Sequence, residues 1–264
     1  MLPRLLLIAL LASPGATLAA DYTGLVHARH QLTLSVATAG VVAGVPVQPG
    51  RRVQAGQVLL QLDDRLQAIE EQRRKTVLDD RSELAAVEER LKLVLPLAED
   101  ARKLQASKGA LSREDLARAE LDVVTTRGRL LQLQAQEERE RSEHQGAVQE
   151  RAQRRLVAPV AGVITKVAID LGEWARPGDP LVELVDASVL HLRVNVPAVA
   201  ARSLKDGATL SVSFEPALQL PAVQGQLSFV SPVVDAASGL VELRVQFSNP
   251  GGRIPPGIKG QVKL

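Results

Sequence analysis

The sequence contains no cysteine, which excludes disulfide bonds, thiolate metal sites and lipid attachment at a cysteine. Aromatic residues make up only 2% of the 264 residues, which leaves few rings on which nucleic-acid bases could stack. The 32 basic and 30 acidic residues are intermixed along the chain, so their net charge of +2 does not form the basic surface of a nucleic-acid binder. We therefore expect no nucleic-acid partner.

The sequence also lacks the motifs of common catalytic and cofactor sites. It has no glycine-rich phosphate loop, no Gly-x-Ser-x-Gly and no His-Glu-x-x-His. His27 and His30 are close in sequence, but side chains three positions apart do not share one face of a strand. Met1 is the only methionine, which argues against a thioether site for copper or silver. We expect a protein that is not an enzyme and that binds no cofactor or metal.

Residues 1–20 have the pattern of a secretory signal peptide. Arg4 supplies the positive charge, an apolar run follows from Leu5 to Ala12, and small residues precede the expected cleavage site. The apolar run is much shorter than the roughly 20 residues needed to cross a bilayer. The sequence therefore predicts export and a mature protein in the periplasm.

Two glycine-containing segments repeat with a constant offset of 122 residues. The corresponding pairs are Gly40 and Gly162, Gly50 and Gly172, Gly56 and Gly178, Leu59 and Leu181, Leu62 and Leu184, and Asp64 and Asp186. The glycines punctuate short strands, because tight turns often require the positive φ that glycine adopts easily. Each half has about 30 residues, too few to bury a core alone. We expect residues 32–63 and 156–186 to pack together as one small β-sandwich.

Residues 64–155, between the two halves, are rich in leucine, alanine, glutamate, glutamine and arginine, as is typical of long helices. Apolar residues recur every three to four positions from Val77 to Ala101, with Asp80 as the weak position, and again from Leu116 to Leu133. This pattern predicts an antiparallel coiled-coil hairpin with two arms of about 40 residues and a length of roughly 60 Å.

Three local features refine this hairpin. Pro96 is expected to kink the first arm, since it cannot donate a backbone hydrogen bond. Gly109 can close that arm, and Ser112 with Asp115 resembles the capped start of the second. Beyond Leu133 the apolar spacing is lost, which predicts a more solvated base.

Residues 187–264 contain several short alternating strands separated by turn residues, a pattern typical of a small β-barrel. Residues 21–31 are predicted as a strand that joins it. The expected fold class is therefore α+β, mainly β, with a split β-sandwich, a long helical hairpin and a small barrel.

The two halves resemble the motifs of a biotinyl/lipoyl domain. With the hairpin and the barrel, their order resembles the periplasmic adaptor (membrane fusion) proteins of tripartite efflux systems, the HlyD-like family. Residues 196–207, 231–235 and 256–258 are similar to the barrel of adaptors that serve resistance-nodulation-division (RND) pumps. The turn that holds the modified lysine of carrier domains is replaced here by the hairpin, which argues against a carrier function.

The resemblance implies an inner-membrane RND transporter and an outer-membrane TolC-like channel as partners, export of small molecules, and a homo-oligomeric ring of three or six copies. The sequence ends where the family's barrel ends, so the transporter contact is expected mainly through the barrel. The alternatives are an adaptor of an ABC-type exporter or type I secretion system, and a structural periplasmic coiled-coil protein.

The resemblance also implies that the hairpin tip docks onto the channel through an arginine, a leucine and a serine. The candidate residues are Arg102, Leu104, Lys108, Gly109, Leu111 and Ser112. Ser112 matches the family position, whereas Ala101 and Gln105 occupy the arginine and leucine positions, next to Arg102 and Leu104. Trp174, in the second half, is expected to be a packing residue, with a subunit contact as the alternative.

Overall fold

The computed structural model describes residues 20–108 and 111–264, so the predicted signal peptide lies outside the described residues except for Ala20. The chain divides into two compact units. The first, the barrel unit, contains residues 20–32, 160–165 and 183–264. The second, the hairpin unit, contains residues 33–159 and 166–182.

The helices and strands follow the order that the sequence predicts. The strands are β1 (Asp21–Leu34), β2 (Gly40–Gly44), β3 (Arg52–Val53), β4 (Val58–Leu62), β5 (Arg155–Val157), β6 (Gly162–Val167), β7 (Trp174–Ala175), β8 (Val182–Pro197), β9 (Thr209–Phe214), β10 (Val223–Val230), β11 (Leu240–Ser248) and β12 (Lys259–Lys263). The helices are α1 (Arg65–Asp79), α2 (Ser82–Lys108), α3 (Arg113–Ala152) and the short α4 (Ala198–Ala201).

The barrel unit contains a closed sheet in the order β1-β12-β9-β10-β11-β8, because β1 pairs with both β12 and β8. Closure leaves no unpaired sheet edge. Along β8 the side chains of Leu190, Leu192, Val194 and Val196 alternate into the core and are at most 2% exposed. The predicted α+β fold with a small barrel and a helical hairpin is confirmed.

The sequence repeat is also a repeat of backbone conformation. Gly50 and Gly172 have φ of 85° and 87°, and Gly56 and Gly178 have φ of 81° and 92°. These values lie in the region that side chains with a Cβ rarely adopt. The same two turns therefore form in both halves.

Strands from the two halves pair with each other in the hairpin unit. β2 is antiparallel to β7, with Gly40 opposite Ala175 and Val41 opposite Trp174. The amide of Val42 donates to the carbonyl of Glu173 at 2.8 Å, which extends the pairing. Backbone hydrogen bonds between β2 and the segment around β7 therefore join the two halves of the repeat.

The tip half of the hairpin is a two-helix coiled coil between α2 and α3. Its seam buries Leu84 and Ala98 of α2 together with Thr126 and Leu133 of α3, all at most 7% exposed. These residues follow the predicted heptad spacing. α2 continues through Pro96 without interruption.

The first arm is two helices, because α1 and α2 are separated at Asp80 and Arg81. Asp80 has φ −80° and ψ 88°, and its Oδ1 accepts hydrogen bonds from the amide and the hydroxyl of Ser82, at 3.3 Å and 2.6 Å. An aspartate that bonds the nearby backbone competes with helical hydrogen bonding. The sequence showed Asp80 as a weak position but did not predict this break.

The base half of the hairpin, between α1 and α3, has a polar seam. Arg151 contacts Asp64 at 2.9 Å and Glu71 at 3.1 Å, and Arg81 lies 3.5 Å from Glu137. No residue of α1 is buried. This half therefore lacks the apolar seam of the tip half and is held by partly buried ion pairs instead.

Candidate functional site

The predicted docking tip is the turn between α2 and α3. Lys108 is the last residue of α2, and Arg113 is the first of α3. Gly109 lies outside the described residues, so its predicted role in closing α2 stays a prediction. Leu111 and Ser112 precede α3, and Leu111 is half-buried.

Ser112 is the N-cap of α3, in agreement with the spacing of Ser112 and Asp115. The amide of Asp115 donates to Ser112 Oγ at 3.0 Å, and Ser112 Oγ donates to Asp115 Oδ2 at 2.7 Å. The cap satisfies a backbone N–H that has no partner within the helix. Glu114 and Asp115 add negative charge at the positive end of the helix. The Ser112 hydroxyl is therefore already engaged within the hairpin.

The other two candidates, Arg102 and Leu104, lie on opposite flanks of α2. Arg102 donates to Glu120 Oε1 from Nη2 at 2.7 Å and from Nε at 3.1 Å, which ties it to α3. Leu104 is 53% exposed, and two residues correspond to about 200° around a helix. Ala101 and Gln105 are half-buried towards the seam. The structure therefore leaves Leu104 accessible but does not bring it together with Arg102.

The repeated glycines have structural roles of two kinds. A Cβ at Gly50, Gly56, Gly172 or Gly178 would meet no atom within 4 Å, so these four are required by their backbone φ. A Cβ at Gly162 would lie 2.6 Å from the carbonyl oxygen of Val185, within the barrel unit, which no side chain tolerates.

Trp174 lies on the surface of the hairpin unit, where it is 58% exposed. It lines an open groove with a volume of about 630 Å³, together with Val41 and Leu66, which are 42% and 77% exposed. The guanidinium of Arg154 borders the groove and donates to the carbonyl of Ala39 at 3.1 Å. The exposure of Trp174 argues against the expected packing role and leaves the subunit contact as a prediction.

The two repeated aspartates serve different neighbours. Asp64 accepts a hydrogen bond from Arg151 at the base of the hairpin. Asp186 is 7% exposed and accepts hydrogen bonds from the amide and hydroxyl of Ser188 at 3.0 Å and 2.6 Å, with His30 Nδ1 at 3.2 Å. Burial raises the pKa of Asp186, but the hydrogen bonds from Ser188 and His30 outweigh it and hold the pKa below its usual value.

The other two histidines of the barrel unit are His27 and His191. Burial and the positive charge of Arg193 lower the pKa of both His27 and His191. Nδ1 of His191 is buried without a hydrogen-bond partner among the described residues. In the same residues, no group of three or more histidine, aspartate or glutamate side chains could hold a metal ion.

No helix in the described parts of the chain combines the length and the apolar character that a membrane crossing requires.

Comparison with known proteins gives one family and several similar structures. Residues 190–264 match the family model of the CusB-like β-barrel domain. An uncharacterized protein from Haemophilus influenzae is 23% identical over 243 residues, which cover 92% of this chain and 56% of that protein. The chain thus spans little more than half the length of this relative.

Two solved structures show the fold. MacA from Actinobacillus actinomycetemcomitans has a TM-score of 0.68 at 16% identity, over 92% of this chain and 78% of that chain. A MacA–MexA chimera that carries the Pseudomonas aeruginosa MexA α-hairpin has a TM-score of 0.57 at 13% identity, over 93% of this chain and 81% of that chain. The resemblance to membrane fusion proteins is confirmed at the level of the fold, and residues 190–264 match the family model of the CusB-like β-barrel domain.

Proposed function

We propose that this protein is a periplasmic adaptor that links an inner-membrane RND-type transporter to a TolC-like outer-membrane channel and supports export of small molecules. The observation that carries the proposal is the long hairpin inserted between two halves of a repeat. At 1.5 Å per residue, the 40 residues of α3 extend about 60 Å. We take the length of this solvent-exposed hairpin to mean that its tip binds another protein.

The proposed mechanism is mechanical. Copies of the chain form a ring of three or six around the export path, and the hairpin tips contact the channel. The stiff tip half of the hairpin, with its apolar seam, transmits the position of the β domains to the tips. The polar seam of the base half allows the hairpin to adjust, because no residue of α1 is buried against α3.

The barrel is the proposed contact with the transporter. The match to a CusB-like barrel family supports an RND partner. Affinity purification of the full chain from membranes tests whether the partner is an RND transporter or an ABC-type exporter. Recovery of an RND transporter supports it, and recovery of an ATP-binding exporter instead identifies the alternative ABC-type system.

The role of the tip is tested by replacing residues 107–112 with a glycine–serine linker of equal length. The α2–α3 seam lies outside this segment, so we expect the fold to be retained, with the unfolding midpoint lowered only by the loss of the Ser112 cap, and a loss of export. A glycine–serine replacement of the four exposed residues 216–219, in a turn of the barrel, is the control. Full export by the tip variant would contradict the proposal.

A further inference from the structure

Phe229, in β10, is a phenylalanine of the barrel unit that lies outside the core. The other two phenylalanines of the sequence, Phe214 and Phe247, are 7% and 3% exposed in the core, whereas Phe229 is 38% exposed. The register of β10 shifts between Leu227, which is buried in the core, and Phe229, so that Ser228 is an extra residue between them. Bulges of this kind often redirect a side chain. The barrel therefore presents an aromatic ring on its outer wall.

Two arginines continue from Phe229 in a row across neighbouring strands. Arg244 of β11 is directly opposite Phe229, and Arg193 of β8 is directly opposite Arg244. The guanidinium of Arg244 lies over the ring of Phe229, 4.9 Å from its centroid, and its Nε donates to Glu242 Oε1 at 2.6 Å. These two contacts hold Arg244 in place on the outer wall. We call Phe229, Arg244 and Arg193 the arginine row.

The two arginines of this row are like charges at directly opposed positions. Cβ atoms at such positions of an antiparallel pair are about 4.5–5.5 Å apart, and like charges there are destabilising. Glu242 offsets the charge of Arg244. Among the described residues, no carboxylate forms an ion pair with Arg193 or with Arg29 of β1, and both arginines are exposed. This wall of the barrel therefore carries positive charge that is not neutralised within the described part of the chain.

Two histidines lie in the field of these arginines. Burial lowers the pKa of both His27 and His191 most, and arginine charges lower both pKa values further. For His191 these charges are Arg193, Arg244 and Arg29, which places all three arginines near one side chain. Because both histidine pKa values lie below the ordinary value, the imidazoles are mainly neutral near pH 7.

The next wall of the barrel has a different character. The outward positions of β9 are Thr209, Ser211 and Ser213, and those of β10 before the bulge are Gln224 and Gln226. These side chains are polar and uncharged. Arginine and aromatic residues, in contrast, are the types that contribute most to binding at protein interfaces. The arginine row is therefore a distinct face of the barrel with the composition of a docking site.

We infer that the arginine row is a docking site for an acidic segment of a partner protein. A carboxylate of that segment lies between Arg193 and Arg244 and relieves their repulsion, and an apolar side chain beside it covers the ring of Phe229. Guanidinium groups bind carboxylates through directional, paired hydrogen bonds, which makes the contact selective. The inference rests on the proposed function in one respect, because the barrel is the proposed contact with the transporter. It adds which face of the barrel makes the contact and what chemistry the transporter presents there.

A binding assay with the purified full chain tests the chemistry of this site. The probe is a fluorescently labelled decapeptide of alternating glutamate and alanine, measured by fluorescence anisotropy, and a glutamine–alanine decapeptide is the uncharged control. We expect saturable binding of the acidic peptide only. In an NMR titration the bound peptide should raise the pKa of His27 and His191, because a carboxylate near Arg193 and Arg244 counteracts the arginine charges.

Two substitutions locate the binding. Arg193→Gln should weaken binding of the acidic peptide by about tenfold, because it removes one of the two guanidiniums that hold the carboxylate. It should not lower the thermal unfolding midpoint, since it also removes a like-charge pair. Arg202→Gln, at an exposed arginine just after α4 and outside the row, is the matched control and should leave binding nearly unchanged. Equal weakening by both substitutions, or no saturable binding to the unsubstituted chain, would overturn the inference.

In-cell photocrosslinking from position 229 identifies the partner. A photoreactive phenylalanine derivative at this position keeps an aromatic ring beside Arg244, and position 211 on the uncharged wall is the control. We expect capture of an RND transporter from position 229 and not from position 211. The crosslinked transporter segment, identified by mass spectrometry, should contain aspartate or glutamate next to the attachment point.

The outcomes separate failure of this inference from failure of the proposed function. Capture of the transporter from position 211 but not from position 229, or a captured transporter segment without acidic residues, would overturn the docking site and leave the adaptor function standing. Capture of only other copies of this chain from position 229 would also overturn it. Peptide binding that depends on Arg193, without capture of a transporter from either position, would support the docking site and contradict the proposed transporter contact.

Discussion

At the scale of residues, the equivalent positions of the repeat carry aspartates that make different contacts. Asp64 and Asp186 end equivalent segments, and both are largely buried side chains with several hydrogen-bond donors. Asp64 holds Arg151 and so ties the end of α3 to the start of α1. Asp186 instead orders the residues that follow it, through Ser188 and His30.

The Asp64 contact should contribute measurably to stability. Replacing Asp64 with Asn removes the charge that Arg151 contacts at 2.9 Å, where the aspartate side chain is only 13% exposed. We expect a loss of roughly 1–2 kcal/mol in the free energy of unfolding, measured by urea denaturation. Asp79→Asn is the matched control, because its pair with Lys75 is 60% exposed on the aspartate side and should contribute almost nothing. Equal effects of the two substitutions would contradict this role.

His27 and His191 should titrate below the ordinary histidine pKa of about 6.5. Burial and the nearby Arg193 lower the pKa of His27 and His191, so protonation favours the unfolded chain. Their contribution to stability is therefore complete above the unfolded pKa and is lost as pH falls from about 7 to 5. An NMR titration should show both pKa values below 6.5 and a partial return towards it in Arg193→Gln, because burial remains. Unchanged values in that variant would exclude the arginine as a cause.

At the scale of elements, the glycine turns and the helix interior respond oppositely to alanine. Gly178 has φ 92°, so Gly178→Ala should cost roughly 1–2 kcal/mol although no atom lies near the new Cβ. Gly146 lies in α3 with open space around it, so Gly146→Ala should stabilise by roughly 0.5–1 kcal/mol. Urea denaturation of both variants measures the contrast. A neutral Gly178→Ala would show that the turn can form with an ordinary φ.

Ser112 illustrates a residue for which capping and docking make different predictions. Ser112→Ala removes the acceptor for the Asp115 amide and should speed hydrogen exchange of that amide by about fivefold, as expected from a cap contribution of roughly 1 kcal/mol. Ser112→Asn retains a good cap without the hydroxyl. Because the hydroxyl is engaged by Asp115, we expect Ser112→Asn to keep both slow exchange and export. Equal loss of export in both variants would indicate that the channel uses the hydroxyl itself.

The elements that the sequence predicted correctly are those determined by local periodicity. The repeat of Gly50 and Gly172 predicted matching turns, and the heptad spacing that includes Leu84 and Leu133 predicted the α2–α3 seam. The break at Asp80 was not predicted, because it depends on one side chain competing with the helix backbone. The exposure of Leu104 was not predicted either. It depends on how α2 and α3 are aligned along the hairpin, which the sequence of one arm does not determine.

At the scale of the whole molecule, the chain consists of structures that need partners. Its barrel carries the row of Phe229, Arg244 and Arg193 on its outer wall, and its repeat halves supply hydrogen bonds to each other through β2 and β7. These features are typical of a scaffold protein. Its proposed function depends on which proteins the hairpin and the barrel contact. The proposed transporter and channel would be recognised through those contacts.

The most direct test of the proposed bridge is an in-cell photocrosslink from position 113, the exposed first residue of α3 beside the tip. A photoreactive residue is incorporated there in the full chain, with position 148 near the hairpin base as control, and the captured proteins are identified by mass spectrometry. We predict capture of an outer-membrane channel from position 113 and not from position 148. Capture of only other copies of this chain from both positions would contradict the bridging function.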